Sequence, residues 1–595
     1  MKNNKIPLAE KTFSRNVIRS LTGFLLLLTA TILHAQKIYP AAEAENIFYP
    51  ISNDFKTQIM NALPGELPAP TDQKRKLLVF NLHVSKDRKP LTGHYSIPYA
   101  NYAILQMGEK TGAYETYFSN DTLIFKPEIL KDYDAICFNN TGGVLFDDPD
   151  LRMNLLDFVY AGGGFIGLHA AAATFVQWPV YDQFPAFGIM LGGYESGGHP
   201  WKENEWITIK VEEPDHPVNK TLGYEEFEIS DEVFQFSAPY SRDLVRVLMT
   251  IDVTKSDTSM SRRILPERRD DWDLAMSWIR KYGRGRVYYS SFGDNPHINW
   301  DTRILNHYLS GIQFTLGDLK APATPNNKLT PAVSALESSG LEFGLGTYSF
   351  KDKTLMESID RAASLGITNI EAYFDQEAGA GISKKFDADL SEDELDQIRA
   401  KLIENGIHMV NYYIHNFPAG EAECRKLFEF GRKMGIVTFV SEPKAGNLDM
   451  IEKYCQEYDI RLAVHNHGKD LSPVYWKPEN VMNAVRDRSP LIGACGDIGY
   501  WIRSGIDPLE AIDILGDRLF VLHVHDLDKD TKEGHDVPWG EGVAGLEQVF
   551  RILYQENQQN LFIGLEYSHN FGQSLPEIKK SIEYFNRVMA ELAGK

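Results

Sequence analysis

At 595 residues the chain exceeds the ~250–300 residues over which one hydrophobic core usually grows, so two or three domains are expected. Its 61 Lys and Arg against 82 Asp and Glu leave a formal net charge of -21, which argues against a protein that tracks a polyanion, because nucleic-acid affinity comes from basic side chains that displace phosphate counterions. Four cysteines, Cys137, Cys424, Cys455 and Cys495, lie far apart without CxxC spacing, which argues against a zinc ribbon or a dithiol redox motif.

The N-terminus, MKNNKIPLAEKTFSRNVIRS, is basic, and LTGFLLLLTATILHAQ after it is a short apolar run ending in small residues around Ala35. That is the order of a secretory signal peptide, and the run is shorter than the ~20 residues that a bilayer span needs. Residues 1–35 are therefore expected to be a signal peptide, and the mature protein to be periplasmic or secreted without a stable membrane span. No cysteine follows the apolar run, so a lipid anchor is not indicated.

From 36 to 318 strand-like and helical runs alternate: KLLVFNLH, the helical YANYAILQMGEKTG, YETYFSND, YDAICFNN, and a further helix before AGGGFIGLHAAAAT. This alternation predicts an open α/β sandwich. In 162-GGGFIGLHAAAAT-174 a strand runs through a tight turn into a helix, the place where such folds commonly present a nucleophile. His169, His199 and Asp231 are candidates to line a pocket, and the glycine run to turn backbone N–H groups toward an anion; a packed, glycine-tolerant turn is the competing reading. Residues 319–340, within GDLKAPATPNNKLTPAVSALESSG, lack apolar periodicity and read as an exposed linker.

From 341 to 595 eight strand-like runs follow: FGLGTYSF, NIEAYF, HMVNYYIH, TFVSEP, RLAVHNHG, LIGACGDIGYW, FVLHVHDLD and FIGLEYS. Amphipathic stretches between them, such as LDQIRAKLIENG, end at glycine as a helix C-cap does. Eight strands alternating with helices predict a (β/α)8 TIM barrel, whose chemistry sits at the C-terminal ends of its strands. Read off those ends, the polar residues are Glu371, His415, Glu442, His465 with His467, Asp497, His523 with His525 and Asp526, and Glu566. Buried charges are costly unless paired or metal-bound, and a shared cation removes that cost. Carboxylate and imidazole without thiolate suit Mn, Co, Zn or Mg and do not choose among them. Strand periodicity turns His465 and His467 to one face, so one of them is expected to be a ligand and the other to face substrate. Tyr500, Trp501, Trp476 and Trp539 are candidates to stack on a sugar ring, with ordinary packing as the competing reading.

Two resemblances rest on these residues. The set KLLVFNLH, GGGFIGLHAAA, GGHP, 215-DHPVNKTLG-223, 231-DEVFQF-236 and 284-RGRVYYSSFGDN-295 resembles the ThuA-like, trehalose-utilisation family of the class I glutamine amidotransferase-like fold over about residues 74–316. The amidotransferase relatives carry a cysteine nucleophile at the turn; here Leu168 and His169 stand there, which argues against cysteine-based amide hydrolysis. HNHG, GDIGYW, HVHDLD, 535-HDVPWGEGV-543 and LEYS resemble the sugar phosphate isomerase/epimerase superfamily, with its xylose isomerase-like barrel, over about residues 341–593. That resemblance implies a divalent metal held by Asp497, His523 and Glu566 and by the fifth-strand position. His465 stands there in place of the family's frequent glutamate, and Glu442 is the alternative carboxylate.

The implied function is a divalent-metal-dependent carbohydrate enzyme that abstracts a proton next to a sugar carbonyl, as an isomerase, an epimerase, or a 3-keto-glycoside lyase or hydrolase. Glu442, His467 and Glu566 are the catalytic candidates, His465, Asp497, His523 and Glu566 the metal ligands, and Glu371, His415, Trp501, His525 and Asp526 the substrate contacts. The expected partner is a small-molecule carbohydrate, a glycoside or keto-sugar, and no nucleic acid. Two other classes compete: a carbohydrate-binding protein with a catalytically silent barrel, and a metal-dependent phosphoesterase, disfavoured by the acidic balance and the leader.

Overall fold

The computed structural model describes residues 38–594 except 72, 86, 88, 178–179, 183, 260–262 and 557–559, so the leader expected at residues 1–35 lies outside the described residues. Ten strands form one mixed sheet: β1 (Tyr39–Pro40), β2 (Lys76–Phe80), β3 (Glu115–Ser119), β4 (Ala135–Asn139), β5 (Gly164–Leu168), β6 (Trp206–Val211), β7 (Glu226–Ser230), β8 (Arg246–Ile251), β9 (Ala275–Tyr282) and β10 (Gly285–Ser290). Their spatial order is β1-β3-β2-β4-β5-β10-β9-β8-β6-β7. Pairing is parallel from β3 through β10 and antiparallel beyond it.

KLLVF carries no polar alternation because both of its faces are covered. Leu77 and Val79 join one core with the helices Ile97–Thr111 and Thr302–Leu316, while Leu78 and Phe80 join another with Pro149–Tyr160 and Pro185–Leu191. This is the layered α/β arrangement expected from the alternation of runs. The N–H groups of the glycine run 162–164 do not form an anion cradle, because they donate to the carbonyl oxygens of Val159, Phe158 and Asp134. The run stands at the start of β5, at the opposite end from His169, and a Cβ at Gly164 would come 2.7 Å from the Thr315 carbonyl oxygen and 2.8 Å from the Ala135 Cβ. Close approach of the helix Thr302–Leu316 requires glycine there. Gly164→Ala is expected to cost ~1–3 kcal/mol through overpacking, read as a lowered thermal unfolding transition; an unchanged transition would contradict this packing.

Residues 319–340 are only partly an exposed connector. Thr330 caps a helix, Pro331–Ser339, by accepting from the Val333 N–H at 3.2 Å, and Ala332, Ala335 and Leu336 are buried in the core of the following unit. The apolar positions are small and fall in only two helical turns, so composition hides a face that packing reveals. Arg246 of the first half reaches Glu337 on this helix at 3.3 Å, and Arg399 of the second half bonds Asp157 at 2.6 Å.

The second half closes into a barrel of eight parallel strands in sequence order: β11 (Glu342–Gly346), β12 (Asn369–Tyr373), β13 (His408–Tyr413), β14 (Thr438–Ser441), β15 (Arg461–His465), β16 (Ile492–Asp497), β17 (Leu519–Val524) and β18 (Phe562–Leu565). Each expected strand-like run overlaps one of them, six containing it entirely and two missing its first residue. Side chains alternate between inside and outside. Leu462, Val464, Leu522 and Leu565 pack outward against the helices, whereas Val440, Ala463, Cys495, Val521 and Phe562 form a small cluster of their own inside. Two residues after four of these inner positions stand Glu442, His465, Asp497 and His523. The core pattern therefore delivers polar side chains to one rim. Among the described residues no helix is long and apolar enough to cross a membrane.

Candidate active site

At that rim the side chains form three linked groups. In the first, His465 and His467 both turn Nδ1 to the same oxygen, Glu442 Oε1, His465 at 3.3 Å and His467 in closer contact. The second joins His523 Nε2 to Glu371 Oε1 at 2.8 Å, both side chains being almost fully buried. In the third, His525 Nε2 lies 3.6 Å from Asp497 Oδ2 and 3.4 Å from Glu566 Oε2, and His465 Nε2 approaches Asp497 Oδ2 at 3.7 Å. The resemblance assigns His523 to Asp497 and Glu566; the structure puts His525 between those two carboxylates and sets His523 between Glu371 and Glu566, its Nδ1 3.8 Å from Glu566 Oε1. Both histidines face inward because His525 follows directly on the end of β17, two residues after His523.

His525 is held from behind. Its Nδ1 points to Asp536, 3.2 Å from both carboxylate oxygens, and Asp536 also accepts from the Ser568 hydroxyl at 2.7 Å. Asp536 has no strand of the barrel to announce it; it sits in the loop after β17, in HDVP, and the sequence reading missed it. Room for the cluster comes from glycine. A Cβ at Gly346, the last residue of β11, would come 2.8 Å from Glu566 Oε1.

Charge in this buried space is set by neighbours. Burial alone would raise the Asp497 carboxyl, but His525 and His465 hold it well below the usual carboxylate range. Burial would likewise raise Glu442, and the two imidazoles on it hold it far below its ordinary value. Glu566 is also depressed against its burial, by His523 and His525. Burial disfavours the charged form of His525, yet Asp536 and Asp497 lift its pKa well above normal. The Cys495 thiol, next to His465 and His523, is pushed up to about 12 by burial and stays neutral.

Three expected substrate contacts are otherwise engaged. Asp526 accepts the backbone N–H groups of Gly540, Gly542 and Ala544 at 2.8–3.1 Å, so its carboxylate fastens the loop after β17 instead of facing a sugar. Trp501 is 1% exposed in the barrel core, and a Cβ at Gly496 would come 2.2 Å from its ring. His525 is taken up by the group with Asp497 and Glu566. Trp539 is buried beside Phe550 and Phe585. Tyr500 stays at the rim, its ring 4.8 Å from that of His467, and His415 is exposed 6.1 Å from the same ring. Glu371 keeps Oε2 buried without a hydrogen-bond partner, and both ring nitrogens of His523 are likewise unbonded, the 2.8 Å approach to Glu371 being out of line.

In the first half, His199 lines a cavity of about 360 Å³ and pairs with Glu232 at 2.8 Å. His169 is fully buried behind it. Asp231 does not line the cavity; its two oxygens accept the N–H groups of Gly293 and Asn295 at 2.7 and 2.8 Å.

Comparison with known proteins agrees with both halves. Residues 82–315 match the trehalose-utilisation family, ThuA, and residues 444–588 match the family described as xylose isomerase-like TIM barrel. No curated protein matches the chain. Among solved structures, an uncharacterised protein from Parabacteroides distasonis is 33% identical, covering 42% of this chain and 99% of its own, with a TM-score of 0.35. A sugar phosphate isomerase/epimerase from the same organism is 14% identical (42% and 96% covered, TM-score 0.33). A xylose isomerase-like TIM barrel protein from Mycobacterium smegmatis, solved in complex with magnesium, is 12% identical (42% and 97%, TM-score 0.35). Residues 82–315 are thus a ThuA domain and residues 444–588 lie in a xylose isomerase-like TIM barrel.

Proposed function

We propose that the barrel is a divalent-metal-dependent carbohydrate enzyme, periplasmic or secreted, which removes a proton from the carbon beside a sugar carbonyl. The observation that supports it most is the convergence of Asp497, His525 and Glu566, whose donor atoms lie 3.4 to 3.6 Å apart between neighbouring partners at a buried rim. The residues fit a cation: the set is carboxylate oxygen and imidazole nitrogen, Asp536 orients His525 as a carboxylate commonly orients a metal-bound histidine, and His465 Nε2 adjoins Asp497. Asp497, His525, Glu566 and His465 would hold it. A bound divalent ion polarises a sugar carbonyl and makes the adjacent C–H more acidic.

The chain's own groups supply the rest. Glu442, kept ionised by the two imidazoles on it, accepts the proton and becomes a neutral carboxyl, which His467 holds in position. Glu371, with one buried oxygen free to accept, and His523 beside it bind a sugar hydroxyl from another side of the rim. Return of the proton to the sugar gives isomerisation or epimerisation, whereas departure of a group from the neighbouring carbon gives elimination from a 3-keto-glycoside. Chelation with EDTA is expected to abolish turnover of a keto-sugar or keto-glycoside and added Mn²⁺, Co²⁺, Zn²⁺ or Mg²⁺ to restore it. Full turnover after verified metal removal would overturn the proposal.

A further inference from the structure

The ThuA-like half carries an imidazole that its hydrogen bonding does not account for. His169 stands directly after β5 with φ at +44°, its ring fully buried and stacked on Phe234 with ring centres 4.4 Å apart. Its Nδ1 lies 2.7 Å from the Ser291 carbonyl oxygen, which can only accept, so Nδ1 carries a proton. In the neutral ring Nε2 then presents a lone pair, and it has no hydrogen-bond partner among the described residues. An imidazole fixed through Nδ1–H by a backbone carbonyl, with its other nitrogen bare, is how proteins hold a metal-ligating histidine.

The bare nitrogen faces two more donors. Asp294 Oδ1 lies 3.8 Å from it, and His94 Nδ1 lies 2.7 Å from the same carboxylate oxygen. The donor atoms of all three residues fall within 4.8 Å of one another. Ligands at ordinary zinc distances around a tetrahedral ion are ~3.4 Å apart, and the two observed spacings bracket that value. Asp294 is held in place on both sides, because Asp231 clamps the N–H groups of Gly293 and Asn295. His94 also lines the cavity of about 360 Å³ shared with His83, Glu195 and His199, so the cluster has an approach from that side. An ordinary His94–Asp294 ion pair would explain two of the three residues and leave the buried His169 nitrogen unexplained.

The geometry points to a mononuclear cation site of two imidazoles and one carboxylate, His94, His169 and Asp294, taking a first-row divalent ion of the zinc class. Its open side faces the cavity, where a water or a hydroxyl or carbonyl oxygen of a small polar ligand completes the coordination. The site is separate from the barrel rim and stands or falls independently of it.

The test is the metal content of the full chain, loaded with Zn²⁺, dialysed, and measured by elemental analysis. His94→Ala, at a partly exposed ring, and Asp294→Asn are each expected to lower the content by one ion per chain relative to wild type. Asp497→Ala removes a different ion, so wild type holding two and each single variant one supports both sites. Wild type holding one ion that His94→Ala removes supports this site and sinks the barrel reading. Unchanged content in both His94→Ala and Asp294→Asn overturns the inference. So does a crystal of the zinc-loaded protein without an anomalous peak between His94, His169 and Asp294.

Discussion

Asp497→Ala is expected to lower kcat/KM on a keto-sugar substrate by on the order of 10³-fold or more, with loss of the barrel ion. Metal polarisation of a carbonyl supplies several kcal/mol to the transition state, and each ~1.4 kcal/mol is tenfold in rate. Asp497 is the central member of the donor set, since His465 and His525 both approach its Oδ2. Its other oxygen caps the helix Ile498–Arg503 through the Tyr500 N–H at 2.8 Å, so alanine also costs ~1 kcal/mol of helix capping. Asp497→Asn separates the two effects: the amide can still cap the helix but lacks the charge that a divalent ion needs. Kinetics and bound metal measured on both variants decide the matter. Near-wild-type turnover by Asp497→Asn would remove Asp497 from the proposed site.

Glu442→Gln is expected to lower kcat ~10²–10⁴-fold, the usual contribution of a positioned general base, while the ion content stays at its wild-type value. The amide is nearly isosteric, so the rim keeps its shape, but it cannot take a proton from carbon. It also leaves His465 and His467 facing a neutral group in place of the carboxylate both now share. A small loss of rate would transfer the proton-accepting role elsewhere on the rim. Loss of rate together with the ion would make Glu442 a ligand and leave the base to another residue.

The barrel was legible because its chemistry follows its core. Inner positions such as Val440, Cys495 and Val521 are followed two residues later by Glu442, Asp497 and His523, a periodicity visible in the bare letters. What periodicity cannot rank is depth. His523 and His525 share a face, and two extended residues rise ~6.6 Å along the barrel wall, enough to put His523 between Glu371 and Glu566 and His525 between Asp497 and Glu566. Long-range partners were also out of reach. Asp526 is occupied by N–H groups 14 to 18 residues further on, and the orienting Asp536 belongs to a loop with no repeat to mark it. In the first half the α/β alternation and the turn at His169 were readable, whereas His94 and Asp294 are 200 residues apart and only the folded sheet brings them together. Trp501 looked like a sugar platform because it follows GDIGY, but the glycine at 496 lets its ring fold back into the core.

The short helix Pro331–Ser339 governs where this polypeptide can be divided. Its Ala332, Ala335 and Leu336 lie in the apolar layer between the barrel strands and their helices, beside the long closing helix Leu575–Leu592. A cut at residue 340 would strip the second unit of a piece of its wall and leave greasy ends on both fragments. A cut ahead of Thr330 keeps that wall with its owner, at the expense of the bond from Arg246 to Glu337.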